Sequence, residues 1–149
     1  MATQAIYYRA ADGTEPVAEF LDDEFPLEPR KANPTDAELF AAAKKRATVD
    51  LQIDRLNGLP NDYPPLTFPH SSQVDGPLRE LRCHYGNSLY RILYRRSDNL
   101  FVLLHALRKN SKKLPQADIE IAKKRWLDFK DRMDAQKRVR PRAAGDDAP

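Results

Sequence analysis

The residues best suited to chemistry lie between Leu78 and Pro115, in the stretch LRELRCHYGNSLYRILYRRSDNLFVLLHALRKNSKKLP. Three apolar-rich runs, Leu78 to His84, Ser88 to Arg95 and Leu100 to Leu107, are separated by Gly86-Asn87 and Ser97-Asp98-Asn99. Both separators are turn signals, so the stretch is predicted to form a three-stranded antiparallel meander. A two-residue loop at Gly86-Asn87 sets Tyr85 opposite Ser88 and Arg82 opposite Arg91. Directly opposed like charges are destabilising, so such a register is expected where the two guanidinium groups share an anion. With Asp98-Asn99 as the next turn, Ala106 falls beside Arg91 and Arg108 diagonal to it. Arg82, Arg91 and Arg108 then share one sheet face. His84 sits beside the first turn on that face and titrates in a useful range, although a histidine there is usually just solvated. His105 falls on the opposite face with Leu81, Ile92 and Leu103, as a satisfied core histidine would. Tyr90 and Tyr94 share an apolar face and are expected in the core rather than as platforms for bases.

Other chemistries have no support. The lone Cys83 excludes an internal disulfide, and three scattered histidines (His70, His84, His105) with one cysteine give no metal-ligand spacing, so neither a metal nor a cofactor is expected. There is no Gly-rich phosphate loop, no GxSxG elbow and no HExxH pair. No apolar run approaches the roughly 20 residues of a membrane span, and the start MATQAIYYRA lacks a signal core, so a cytoplasmic protein without a membrane partner is expected.

Charge points to a polyanion. The net charge of +3 hides an asymmetry: Met1 to Pro77 holds 7 Lys and Arg against 13 Asp and Glu, a net of −6, whereas Leu78 to Arg142 holds 18 against 7, a net of +11. A basic patch on a folded sheet favours nucleic acid, while a solvated basic surface is the bland alternative.

The elements that must position these residues read as follows. At 149 residues the chain suits one domain, placed at 1–134, with 135–149 as a disordered basic tail. Ala5 to Arg9 is β-prone. Thr14 to Glu24 is predicted helical, with Thr14 as cap and Val17, Phe20 and Leu21 at helical spacing. Pro26, Pro29 and Pro34 make a linker. Thr35 with Glu38 is a capping-box signature opening a longer helix, with Leu39, Ala43, Ala47 and Leu51 on one stripe and Gly58 and Pro60 at its end. Asn61 to Gly76 reads as an irregular, proline-rich connection. Pro115 starts a helix whose Ile119, Ala122, Trp126, Phe129 and Met133 form a stripe wide enough to cover a sheet. The order predicts an α+β fold, a small antiparallel sheet of the N-terminal strand and the meander with helices packed on one face.

Leu78, Glu80, Leu81 and Arg82, then Tyr90-Arg91-Ile92-Leu93-Tyr94, then His105, Lys109, Lys113, Pro115, Ile119 and Ala122, resemble in order and spacing the phage-derived branch of the RelE/HigB-like toxins of type II toxin–antitoxin systems. Leu107 stands where that family usually has an aromatic residue, and Asn110 where a second lysine is common. The resemblance implies a RelE-like fold and an endoribonuclease (an mRNA interferase) that cuts messenger RNA, commonly on the ribosome, blocks translation and is neutralised by a cognate antitoxin. The rival reading is a catalytically inactive phage-derived module that grips RNA or a host protein through its basic sheet.

Cleaving RNA without a metal lets the substrate's own 2′-hydroxyl attack the adjacent phosphorus. The protein must then orient the strand, stabilise extra negative charge and move two protons. Arg82 and Arg91 are candidates for the charge, because a guanidinium donates bidentately to phosphate. They could instead pair with Glu80 or with a helix carboxylate. Lys109 matches a lysine of the family and is the third catalytic candidate. Arg108, Lys112, Lys113 and His84 are candidates for RNA binding.

Overall fold

The computed structural model describes residues 2–25, 35–109, 113–135 and 142–145. Eight elements run in the order β1 (Gln4–Tyr7), α1 (Pro16–Glu24), α2 (Asp36–Asp54), β2 (Ser71–Asp75), β3 (Leu78–Tyr85), β4 (Ser88–Ser97), β5 (Leu100–Arg108) and α3 (Gln116–Ala135). The fold is α+β, with one five-stranded sheet in the order β1-β5-β4-β3-β2. The sheet is mixed rather than antiparallel throughout, because β1 lies parallel to β5. The fifth strand, β2, lies in the segment expected to be irregular. It holds one large apolar residue, Val74, so it adds chiefly backbone hydrogen bonds at an edge, and it reverses into β3 through Gly76, which takes a φ of 56°.

The meander forms as predicted, but one residue is added in β5. Tyr94 pairs with Leu103 whereas Leu93 pairs with His105, leaving Leu104 as the extra residue of a bulge. A one-residue shift reverses which face every later side chain occupies. Leu107, not Ala106, therefore lies opposite Arg91, and Arg108 lies opposite Tyr90.

Helices cover both faces of the sheet, not one. On the first face Leu81, Cys83, Tyr90, Ile92, Tyr94 and Leu103 pack with Val17, Ala18, Leu21 and Phe25 of the α1 region and with Val49, Ile53 and Leu56 at the end of α2. On the second face Leu78, Leu93, Val102, Leu104 and Leu107 pack with Ala122, Trp126 and Phe129 of α3, with Ile119 and Met133 partly buried beside them, as the predicted stripe requires. Glu15, rather than Thr14, occupies the cap of α1, and the Thr14 hydroxyl bonds Asp12 instead. The α2 start is as expected, with Thr35 accepting from the Glu38 amide at 3.1 Å. Its predicted stripe is not the buried one: Ala43 and Ala47 are exposed and Leu51 is 63% exposed, while Val49 and Ile53 are buried. The linker prolines Pro26, Pro29 and Pro34 lie outside the described residues.

Part of the expected tail belongs to the fold. Ala143 bridges Ile6 on the outer edge of β1, the Tyr7 amide donates to the Arg142 carbonyl and the Ala144 amide to the Ala5 carbonyl. Ala144 is buried, and its carbonyl accepts from the Asn57 side chain at 3.0 Å. These residues close a strand edge that would otherwise present unpaired backbone groups. Among the described residues no helix is long and apolar enough to cross a membrane.

Candidate functional site: an arginine cleft on the second face

Arg82 and Arg91 are direct partners in the β3–β4 ladder, in the register that the Gly86-Asn87 turn dictates. Their opposition is resolved by Glu80, two residues before Arg82 and therefore on the same face. Its carboxylate accepts from Arg82 Nη1 at 2.9 Å and lies 3.5 Å from Arg91 Nε, while Ser72 Oγ donates to it at 2.9 Å. Glu80 is 4% exposed and Arg91 2%. Two cations and one anion thus form a largely buried cluster with a residual charge of one, so the like-charge pair does not depend on a bound anion.

The cluster opens on one side into a cleft of about 540 Å³ lined by Arg82, Arg91, His84, Leu89, Gly86, Asn87 and the ring of Phe68. The α3 helix packs on this face over Leu93, Val102 and Leu104, and none of its residues lines the cleft. His84 is exposed at the rim. Lys109 follows β5 at the same end of the sheet, its amide donating to the carbonyl of Leu89, a cleft residue. Lys109 and Lys113 are both exposed, and Lys112 lies outside the described residues.

Two expectations fail because of the bulge in β5. Arg108 does not share the face of Arg82 and Arg91. It lies on the first face, with its guanidinium 5.8 Å from the Tyr90 ring, 3.0 Å from Ser88 Oγ and 3.7 Å from Glu24. His105, in turn, lies on the arginine face and not with Leu81, Ile92 and Leu103. Its Nε2 is 2.6 Å from Asp118 and its Nδ1 3.1 Å from Arg125 Nη1, which also donates to the Leu104 carbonyl at 2.8 Å. Because arginine can only donate, Nδ1 accepts and Nε2–H donates to Asp118. That is the neutral ring, in keeping with burial, which pulls the His105 pKa below the usual histidine value. The network pins α3 to β5, so His105 is a satisfied, half-buried histidine on the other side of the sheet.

Tyr90 and Tyr94 are buried in the first core, as expected. Burial pushes the Cys83 thiol up to about 12, which keeps it protonated and unreactive. Among the described residues no group of three or more His, Cys, Asp or Glu is placed to hold a metal ion. The site residues that sequence reasoning did not single out are Glu80, weighed only as a partner, and Phe68. Glu80 was legible from its spacing of two to Arg82. Phe68 had no signal, since its place at the cleft depends on how the proline-rich segment folds back.

The chain matches no curated protein. The model of the family described as phage-derived protein Gp49-like matches residues 39–127, more than half of the chain, from α2 through the whole meander into α3. With its α+β sheet and its arginine cleft inside the matched stretch, the chain belongs to this phage-derived Gp49-like family, which is related to the toxins of toxin–antitoxin systems.

Proposed function

We propose that this protein is the toxin of a type II toxin–antitoxin pair and acts as an endoribonuclease on messenger RNA. The observation that carries the reading is the pairing of Arg82 with Arg91 at the wall of one open cleft, beside His84. Arg82, held by Glu80 and 15% exposed, is the guanidinium that reaches a phosphate; Arg91, beneath it, adds charge and fixes Glu80. As the substrate's 2′-hydroxyl loses its proton and attacks phosphorus, the P–O5′ bond breaks, leaving a 2′,3′-cyclic phosphate and a 5′-hydroxyl that takes up a proton. Negative charge grows on the nonbridging oxygens, where preorganised guanidinium donors are worth most. His84, exposed at the rim, is the residue assigned to exchange a proton, and Lys109 supplies a further positive charge or a second proton carrier. The surrounding basic surface would track the RNA backbone and would also suit an antitoxin that brings acidic groups.

The test is direct. Purified protein incubated with messenger RNA, with and without ribosomes, should yield new ends carrying 2′,3′-cyclic phosphate, and chelation of divalent cations should leave the rate unchanged. Intact RNA in both arms would end the ribonuclease reading. A second reading, a silent module that grips RNA or a host protein, draws on the deep burial of Arg91 and the neutralisation of one charge by Glu80. It expects retention of a ligand without new ends.

A further inference from the structure

Phe68 is a large apolar side chain left 69% exposed at the mouth of a charged cleft. An isolated exposed apolar residue needs no explanation. Here, however, the ring has a fixed seat. The segment that carries it is fastened on both sides: Arg79 Nη2 donates to the Leu66 carbonyl at 2.6 Å, and the Arg82 amide donates to the His70 carbonyl at 2.8 Å. The ring stands over the Arg82 guanidinium, whose central carbon is 5.0 Å from the ring centroid. Arg82 therefore stands against an aromatic ring and lines the open cleft at once.

From this geometry we propose that Phe68 is a stacking platform for one base of a single-stranded RNA whose neighbouring phosphate sits at Arg82 and Arg91. The proposal rests on the ribonuclease reading and adds the form of its substrate. One ring face is taken up by Arg82, and at 69% exposure the rest of the ring is open to a flat partner. A base in a duplex has both faces covered by its neighbours, so only an unpaired nucleotide can offer one. The cleft, at about 540 Å³, lies within the range that encloses a small ligand and can take one nucleotide. Stacking of this kind accepts any base, so Phe68 sets a preference for single strands rather than for a sequence.

The test uses a short single-stranded RNA made uncleavable by 2′-O-methylation, and an oligomer of the same length and charge that lacks bases. Binding is followed by fluorescence anisotropy to the wild type, Phe68→Ala, Phe68→Trp and Arg82→Gln. Phe68→Ala should weaken binding of the base-bearing RNA by about tenfold or more, the scale of losing one stacked base. It should leave the abasic oligomer unaffected, and Phe68→Trp should bind like the wild type. Because Phe68 is exposed, the melting midpoint should not move. Unchanged affinity in Phe68→Ala, or equal losses on both oligomers, overturns the stacking proposal. If Arg82→Gln then still weakens binding of both, the ribonuclease reading survives that failure. If the wild type binds neither oligomer, both readings fall.

Discussion

The second face of the sheet carries two charged clusters, and their difference lies in cover. Near the middle of β5, His105 meets Asp118 and Arg125 of α3, the three satisfy one another, and burial pulls the histidine pKa down. Toward the Gly86-Asn87 end, Glu80 bridges Arg82 and Arg91, and the cluster opens into a cleft that no helix among the described residues lines. The closed cluster is a fastener, matched in charge and sealed. The open one keeps a surplus positive charge beside solvent, where it can meet a ligand. Both are built from the same strands, so it is the reach of α3 that separates structure from candidate function.

The largest effect should come from breaking the buried part of the open cluster. Arg91→Ala removes a side chain that is 2% exposed and strips Glu80 of one partner. Breaking a buried ion pair from one side costs about 3–5 kcal/mol, which for a chain of this size is on the order of a 10 °C drop in melting midpoint. Relief of repulsion between the arginines is no longer the expectation, since Glu80 lies between them. A midpoint equal to or above that of the wild type would show that the pair is strained after all.

A smaller loss is expected from removing the last residues of the chain. Truncation after Pro141 deletes two backbone hydrogen bonds to β1 and the buried Ala144, and uncovers the strand edge. Buried hydrogen bonds contribute about 1 kcal/mol each, so thermal melting should report a loss of about 1–3 kcal/mol. A truncated chain that melts like the full one would restore the dispensable tail expected from composition.

The smallest effect concerns the closed cluster. Burial lowers the His105 pKa in the folded protein, so as pH falls the unfolded chain binds a proton first. Stability contributed by the neutral ring is therefore full above about 6.5, the ordinary value, and declines as pH falls from there toward the lower folded value. Melting followed from pH 7.5 to 5.5 should show a shallower pH dependence in His105→Gln than in the wild type. Equal slopes would mean that His105 does not carry this linkage.

What the sequence made legible follows from how far each signal reaches. The pairing of Arg82 with Arg91 could be read because a two-residue turn fixes its own ladder within a few residues. The stripe of α3 was legible because Trp126 and Phe129 are large and helically spaced. The bulge at Leu104 left no mark, yet it alone moved Arg108 off the arginine face and His105 onto it. The Ser71–Asp75 strand was hidden because an edge strand with one large apolar residue gains from backbone pairing rather than burial. The α2 stripe misled because alanines fit either side of a helix, and tertiary packing chose Val49 and Ile53. In the tail, Arg142, Ala143 and Ala144 dock through main-chain groups, which composition does not register.

The central claim is that the open cluster acts on RNA, and Arg82 is its cleanest probe. Arg82 is partly exposed, and its loss still leaves Glu80 with Arg91 and Ser72, so Arg82→Gln should fold with a cost of about 1 kcal/mol. Cleavage of a defined single-stranded RNA by this variant, measured beside its melting curve, should fall by on the order of 100-fold, the scale of losing one donor to a developing oxyanion. A variant that folds and cuts at the wild-type rate would contradict the account.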